Sequence, residues 1–315
     1  MPTEIVFEEA VADHDPELYQ GSEHNYAVDG LDGIDETARQ RYDEDGFLVV
    51  RRGLPESVWR VALDELKSMA AMIDPECATV TYEGSLRARI HEMQDQAIQA
   101  EIGEDDPGAD GEKAETIYTR EAIERLSAGE RAASVRKLMG FTRAHKPLRD
   151  VANYPSLRAV VNAIVGEKSR MFQSMALLKP PGGREKPWHQ DHAYFDLPVD
   201  CKVCGVWIAL GEVTPANGAM YMLRGGHRAG PIVHYHRRDW QICDSEIAGS
   251  QAVVLPMSAG DLVLFDAKIP HGTPTNRTRE QRWALQFHYV GGSVESVPVE
   301  QRLAVFGSEG KNVSC

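Results

Sequence analysis

The chain has 315 residues, 42% of them hydrophobic and 26% charged, which suits a soluble globular protein of one large or two small domains. Its formal charge of −14 disfavours nucleic acid and anionic membrane surfaces as partners. No apolar run is long enough for a transmembrane helix, and the first residues lack the basic and apolar regions of a secretory signal.

Residues 1–46 hold 14 acids against Arg39 and Arg41, so they read as a solvated, partly disordered acidic arm. The stretch 43–55, DEDGFLVVRRGLP, reads as a turn entering a short strand. Residues 55–74 then read as an amphipathic helix, with Val58, Val61, Ala62, Leu66 and Met69 on one face. Residues 101–115 are an acidic Gly/Pro loop, and helical stretches are expected at 115–127 and 129–139. Another helix follows Pro155, carries Leu157, Val160, Val161, Ile164 and Val165 on one face, and closes at Gly166.

From residue 169 the texture changes to short strand-like runs cut by Gly, Pro and Asp: SRMFQSMALLKPPGG, KVCGVWIALGEV, GAMYMLRGG, QAVVLPMSAGD, LVLFDAKIPHG and QRWALQFHYV. Such a series indicates a β-sandwich or barrel. The expected architecture is therefore mainly β, with a mostly helical first half (47–168) supporting or capping a β core (169–292), in one domain spanning 47–300, and a tail at 301–315. Cys201 and Cys204 form a lone Cys-x2-Cys, better read as thiols on a strand than as a zinc site. The five cysteines, odd in number, fit a reducing compartment, here the cytoplasm.

The stretch WHQDH, 188–192, carries the chemistry. At a strand end, side chains alternate, so His189 and Asp191 face one way while Trp188, Gln190 and His192 face the other. A third ligand must come from elsewhere, and His271, 82 residues on where a strand meets a turn, is the candidate. Two His and one carboxylate, leaving open positions, is the ligand set of non-haem Fe(II) oxygenases. Arg282, eleven residues after His271, shares a strand face with Ala284, Gln286 and His288. Its planar fork suits bidentate binding of a carboxylate such as the far end of 2-oxoglutarate. His288 is expected to see the pocket, and Gln173 to reach cosubstrate or substrate. His227 reads as a loop-fixing hydrogen bonder, and His234 and His236, next to Arg237 and Arg238, as exposed or substrate-edge residues.

In this order, LLKPPGG, WHQDHAYF, NGAMYMLRGGHRAG, AGDLVLFDAKIPHGTPTN and the earlier DGFLVVRRGL resemble the phytanoyl-CoA dioxygenase family of Fe(II)/2-oxoglutarate-dependent oxygenases over about residues 40–292. The resemblance implies a double-stranded β-helix fold. It implies that His189, Asp191 and His271 ligate iron, and that Arg282, with Thr273, Gln173 and Lys137, binds 2-oxoglutarate. Trp207, Met175 and His288 would line the substrate pocket. The implied reaction is hydroxylation of an unactivated C–H bond by O2, coupled to decarboxylation of 2-oxoglutarate to succinate. Desaturation, epimerisation or ring formation on the same centre are alternatives, as is a non-catalytic cupin-like binding protein, which would have no use for Arg282. Halogenation is disfavoured because Asp191 keeps the carboxylate ligand. Nothing basic beyond Arg237–Arg238 suits the phosphates of an acyl-CoA. The expected substrate is thus a free small molecule, apolar or modestly polar, enclosed by the barrel mouth and the segment 115–145, with the protein a monomer or homodimer.

Overall fold

A computed structural model describes residues 3–9, 11–87, 89–90, 92–93 and 120–307. Two sheets hold the site. In hydrogen-bonded order the larger runs β1 (Glu4–Phe7), β5 (Thr79–Tyr82), β6 (Val135–Met139), β7 (Ser169–Lys179), β16 (Arg282–Gly291), β9 (Val203–Ala209), β14 (Leu262–Asp266), β4 (Phe47–Arg51) and β3 (Val28–Asp29). The smaller runs β2 (Gly21–Glu23), β13 (Ala252–Leu255), β10 (Met220–Met222), β15 (His271–Thr273) and β8 (Lys186–His189). A two-stranded ribbon of β11 (His234–His236) and β12 (Trp240–Ile242) lies beside them. Most pairings are antiparallel, and the two packed sheets form a jelly-roll architecture.

Strand alternation sorts the core. Phe47, Val49, Trp207, Val263, Phe265 and Ala284 of the larger sheet pack with Trp188, Met220, Met222 and Val254 of the smaller one. The opposite face, with Leu48, Val50, Val206, Ile208, Leu264, Leu285 and Phe287, packs against the helices Glu56–Ala71 and Pro155–Val165 through Leu66 and Val161. Gly205 has no side chain because the Phe265 ring stands where its Cβ would be, 2.2 Å from the nearest ring atom.

Three expectations are corrected. The first 46 residues are not merely a solvated arm. β1 pairs in parallel with β5, β2 with β13, and a helix spans Glu36–Asp45. Leu18, Tyr19, Leu31, Ala38 and Tyr42 are buried, while acids of the segment stay at the surface or pair with arginines, Glu8 with Arg136 and Arg184 and Asp13 with Arg277. Charge counting misses this because apolar side chains between the acids supply the packing.

The first half is also less helical than expected. Between 47 and 168, helices alternate with β4, β5 and β6, all members of the larger sheet. The stretch 129–139 is a short helix, Ala128–Ala132, followed by strand β6, whose pairing with β5 and β7 overrides its local propensity. Val61, placed on the buried face of its helix, is 52% exposed; Ala62, Leu66, Met69 and Ala70 are buried instead. Residues 101–115 lie outside the described residues, as do 115–119 of the first expected helical stretch. The helix expected after Pro155 spans Pro155–Val165 and ends at Gly166 with φ 83°. No helix among the described residues is long and apolar enough to cross a membrane.

Candidate active site

The site begins with a strand pairing. β8 and β15 run antiparallel with His189 and His271 as direct partners, so their rings meet with centroids 4.3 Å apart. β8 ends at His189. Gln190 remains extended (φ −109°, ψ 127°) and carries the alternation one residue further, after which Asp191–Tyr194 turns as a 3-10 helix. Gln190 is locked in place: its amide donates to Gly230 O at 2.8 Å and Lys268 O at 2.6 Å, and its carbonyl accepts from the Ile232 N–H at 2.8 Å. Asp191 is thereby turned to the side of His189, with Nε2 to Oδ1 at 3.1 Å, and His271 Nε2 lies 3.7 Å from Oδ2. All three residues are buried, and one ligand atom from each lies within 4.8 Å of the others.

The donor set fits a divalent metal. His189 Nδ1 donates to Pro187 O at 2.8 Å and His271 Nδ1 to Ile269 O at 3.0 Å. Each bond fixes the tautomer that leaves an Nε2 lone pair facing Asp191. Burial and the neighbouring His189 push the His271 imidazole down to about 4, so it is a neutral ligand at pH 7. Burial alone would raise the Asp191 carboxyl, but the His271 and His288 charges and hydrogen bonds from His189 and His288 hold it well below the usual range. His192 takes no part: its ring turns away, donates from Nε2 to Pro198 O at 3.2 Å and stacks on Phe306.

A cavity of about 200 Å³ opens from the triad and is walled by both sheets. Arg282 is the Cα partner of Lys179 and is 4% exposed. Its guanidinium lies over Trp207 at 5.1 Å and reaches Gly218 O at 3.4 Å. Among the described residues no carboxylate pairs with it, and its Nε has no partner. Burial, then the charge of Arg136, weighs against this cation. A guanidinium remains charged in a protein, so the site calls for an anion. Thr273 Oγ1 accepts from Lys179 Nζ at 2.8 Å, which leaves the hydroxyl hydrogen available to a ligand. Lys179, which sequence reasoning missed, spends its ammonium on Thr273 Oγ1, Thr273 O and Pro274 O. Its burial and Arg282 push its pKa well down.

Trp207 and Met175 line this cavity, and so does Gln173, whose Oε1 is buried without a partner. Trp207 Nε1 is likewise unpartnered. Gln173 also borders an open outer groove of about 1160 Å³ that shares Met139, Tyr194 and Phe195 with the inner cavity. Lys137 lines the inner cavity from β6.

His288, expected at the pocket, is not among the cavity's lining residues. It stands behind the triad, where its Nε2 donates to Asp191 Oδ2 at 2.8 Å, joined by Gln286 Nε2 at 2.9 Å. The shared strand face with Arg282 was the sequence signal for both. His234, read as exposed, is fully buried and accepts the Gln190 N–H at 2.9 Å, with burial pushing it down to about 3. His227 meets Asp43 O at 3.2 Å. Glu8 and Arg136 also reach the cavity wall, which local sequence could not reveal because the N-terminal segment meets β6 only in the fold.

The chain aligns with the mouse phytanoyl-CoA dioxygenase domain-containing protein 1, 24% identical over 264 residues that cover 79% of this chain and 87% of the mouse protein. In structure it resembles the non-haem α-ketoglutarate-dependent epimerase SnoN from nogalamycin biosynthesis, with a TM-score of 0.57 and 18% identity over 84% of this chain and 85% of that one. That epimerase is also known in complex with Fe3+, α-ketoglutarate and nogalamycin RO. The carbocyclase SnoK of the same biosynthesis gives a TM-score of 0.55 and 18% identity over 89% and 96%. The family described as phytanoyl-CoA dioxygenase matches residues 42–284, and the chain belongs to that family.

Proposed function

We propose that the protein is an Fe(II)/2-oxoglutarate-dependent oxygenase that hydroxylates a C–H bond of a small-molecule metabolite, with 2-oxoglutarate decarboxylated to succinate. The observation that carries this reading is the pairing, in one buried cavity, of the His189–Asp191–His271 set with Arg282, a cation without a carboxylate. Two imidazoles and one carboxylate favour Fe(II) in an oxygenase because they leave coordination positions for cosubstrate and O2. Iron bound there supplies the O2 chemistry.

The chain's own residues do the positioning. Gln286 and His288 hold one Asp191 oxygen, and the imidazole Nδ1 bonds orient both His ligands. Arg282 binds the distal carboxylate of 2-oxoglutarate as a fork, with the Thr273 hydroxyl beside it. Burial of the cavity excludes water from the reacting centre. A purely ligand-binding role would leave Arg282 without purpose. The test is succinate formation by the Fe(II)-loaded protein supplied with 2-oxoglutarate and O2. Succinate above the protein-free control, abolished in Asp191→Ala, supports the reading. Iron and 2-oxoglutarate binding without any succinate would count against it.

A further inference from the structure

The cavity carries more positive charge than a metal and 2-oxoglutarate neutralise. Of its lining cations, Arg136 is paired with Glu8 and Glu83, and Lys186 with Asp239 at 2.7 Å. Lys137, Lys179 and Arg282 have no carboxylate partner among the described residues. A divalent metal on Asp191 adds one more net charge, and a dianionic cosubstrate removes only two. Two positive charges remain in a buried space, an arrangement that is costly unless another anion enters.

Lys179 is caged by the oxygens of Thr273 and Pro274. That leaves Lys137, whose ammonium makes no hydrogen bond or ion pair among the described residues. It also sits in a different neighbourhood from Arg282. The charges acting on Lys137 are Lys186, Arg136 and Asp239, and Lys186 in turn donates to the Tyr194 hydroxyl at 3.0 Å. Tyr194 packs edge-on against His189, with centroids 5.7 Å apart. Lys137 is therefore grouped with the wall beside His189, whereas Arg282 is grouped with Lys179, Thr273 and Trp207.

We propose that Lys137 binds the substrate, and that the substrate is a small organic anion, a carboxylate or a phosphonate, held with its reacting carbon toward the metal triad. This rests on the oxygenase reading above. It revises the expectation of an apolar or modestly polar substrate, and it takes Lys137 out of the cosubstrate site. The inner cavity, at about 200 Å³, is smaller than sites that enclose a drug-sized ligand, so a larger substrate would extend into the outer groove past Gln173.

The experiment uses the full chain, loaded with Fe(II) and saturated with 2-oxoglutarate without O2, titrated calorimetrically with butyrate and with methylphosphonate. The variants are Lys137→Met, similar in length but uncharged, and Lys137→Arg, which restores the charge. At least one probe should bind the wild type. Its affinity should fall about tenfold or more in Lys137→Met and return in Lys137→Arg. Affinity for 2-oxoglutarate should stay within about threefold in Lys137→Met. Which probe binds separates the carboxylate from the phosphonate class.

The proposal is overturned if neither probe binds the wild type, or if Lys137→Met binds them equally well. It is also overturned if Lys137→Met loses 2-oxoglutarate affinity, which would return Lys137 to the cosubstrate. Failure of the wild type to bind 2-oxoglutarate at all would overturn the oxygenase reading itself.

Discussion

His288 Nε2 lies 2.8 Å from Asp191 Oδ2, across 97 residues of sequence and from the strand that also carries Arg282. One strand, β16, thus supplies both the support for the metal-ligating carboxylate and the cation for the cosubstrate, and alternation puts Arg282, Gln286 and His288 on its inner face. Residues that hold a ligand in position usually matter to metal affinity about tenfold to a hundredfold. We predict that His288→Ala weakens Fe(II) binding by about that factor, and that His288→Ala with Gln286→Leu weakens it further. Metal titration checks this; unchanged affinity in the double variant would show that Asp191 needs no such support.

The ligands themselves separate cleanly from their neighbour. Asp191→Ala should lose the metal, whereas His192→Ala should retain it, because His192 is turned to Pro198 and Phe306. Metal analysis of the purified variants decides it. Loss of metal in His192→Ala, with Asp191→Ala loaded, would reverse the assignment.

The N-terminal segment should matter to stability. Tyr19 is buried, stacks on Trp188 at 5.9 Å and donates to Glu185 at 2.9 Å. Tyr19→Ala should cost about 3 kcal/mol in urea unfolding, as for other large aromatic truncations in cores. A chain starting at Thr37 loses β1, β2 and Glu8 together and should unfold at lower urea still. Wild-type stability in that truncated chain would contradict the packing described here.

Lys137 gives a pH prediction. Burial chiefly, then Lys186 and Arg136 against the opposing Asp239, push its ammonium down to about 8. The protonated form is the one that holds an anion. Affinity for the butyrate or methylphosphonate probe should therefore be level below pH 8 and fall about tenfold per unit above it. The same shift makes the unfolded chain bind more protons between pH 8 and 10.5, so this group favours folding more as pH rises through that window. A probe affinity independent of pH up to 10 would exclude Lys137 as the binding group.

Much of the site was legible because it obeys short-range rules. The spacing of His189 and Asp191 survives the end of β8, since Gln190 stays extended, and the alternation along 282–289 sorted Arg282 from Leu285 and Phe287. What was hidden depends on pairing across the sheet. Lys179 reads as one more residue before Pro180 until it is set beside Arg282. The strand at 135–139 looks helical until β5 and β7 flank it. The acidic N-terminus looked solvated because charge counting ignores where Leu18, Tyr19 and Tyr42 come to rest. His288 was on the expected face but one layer behind the pocket, a distinction that alternation cannot make.

The most direct test of the central claim is a titration of 2-oxoglutarate, without O2, into the Fe(II)-loaded protein, followed by the visible absorption of the iron–cosubstrate complex. The account predicts one iron per chain and a saturable band in the wild type. In Arg282→Met the iron should stay bound while apparent 2-oxoglutarate affinity falls roughly 10- to 1000-fold, the loss of a bidentate carboxylate clamp. A band that saturates at the same 2-oxoglutarate concentration in Arg282→Met as in the wild type would contradict it.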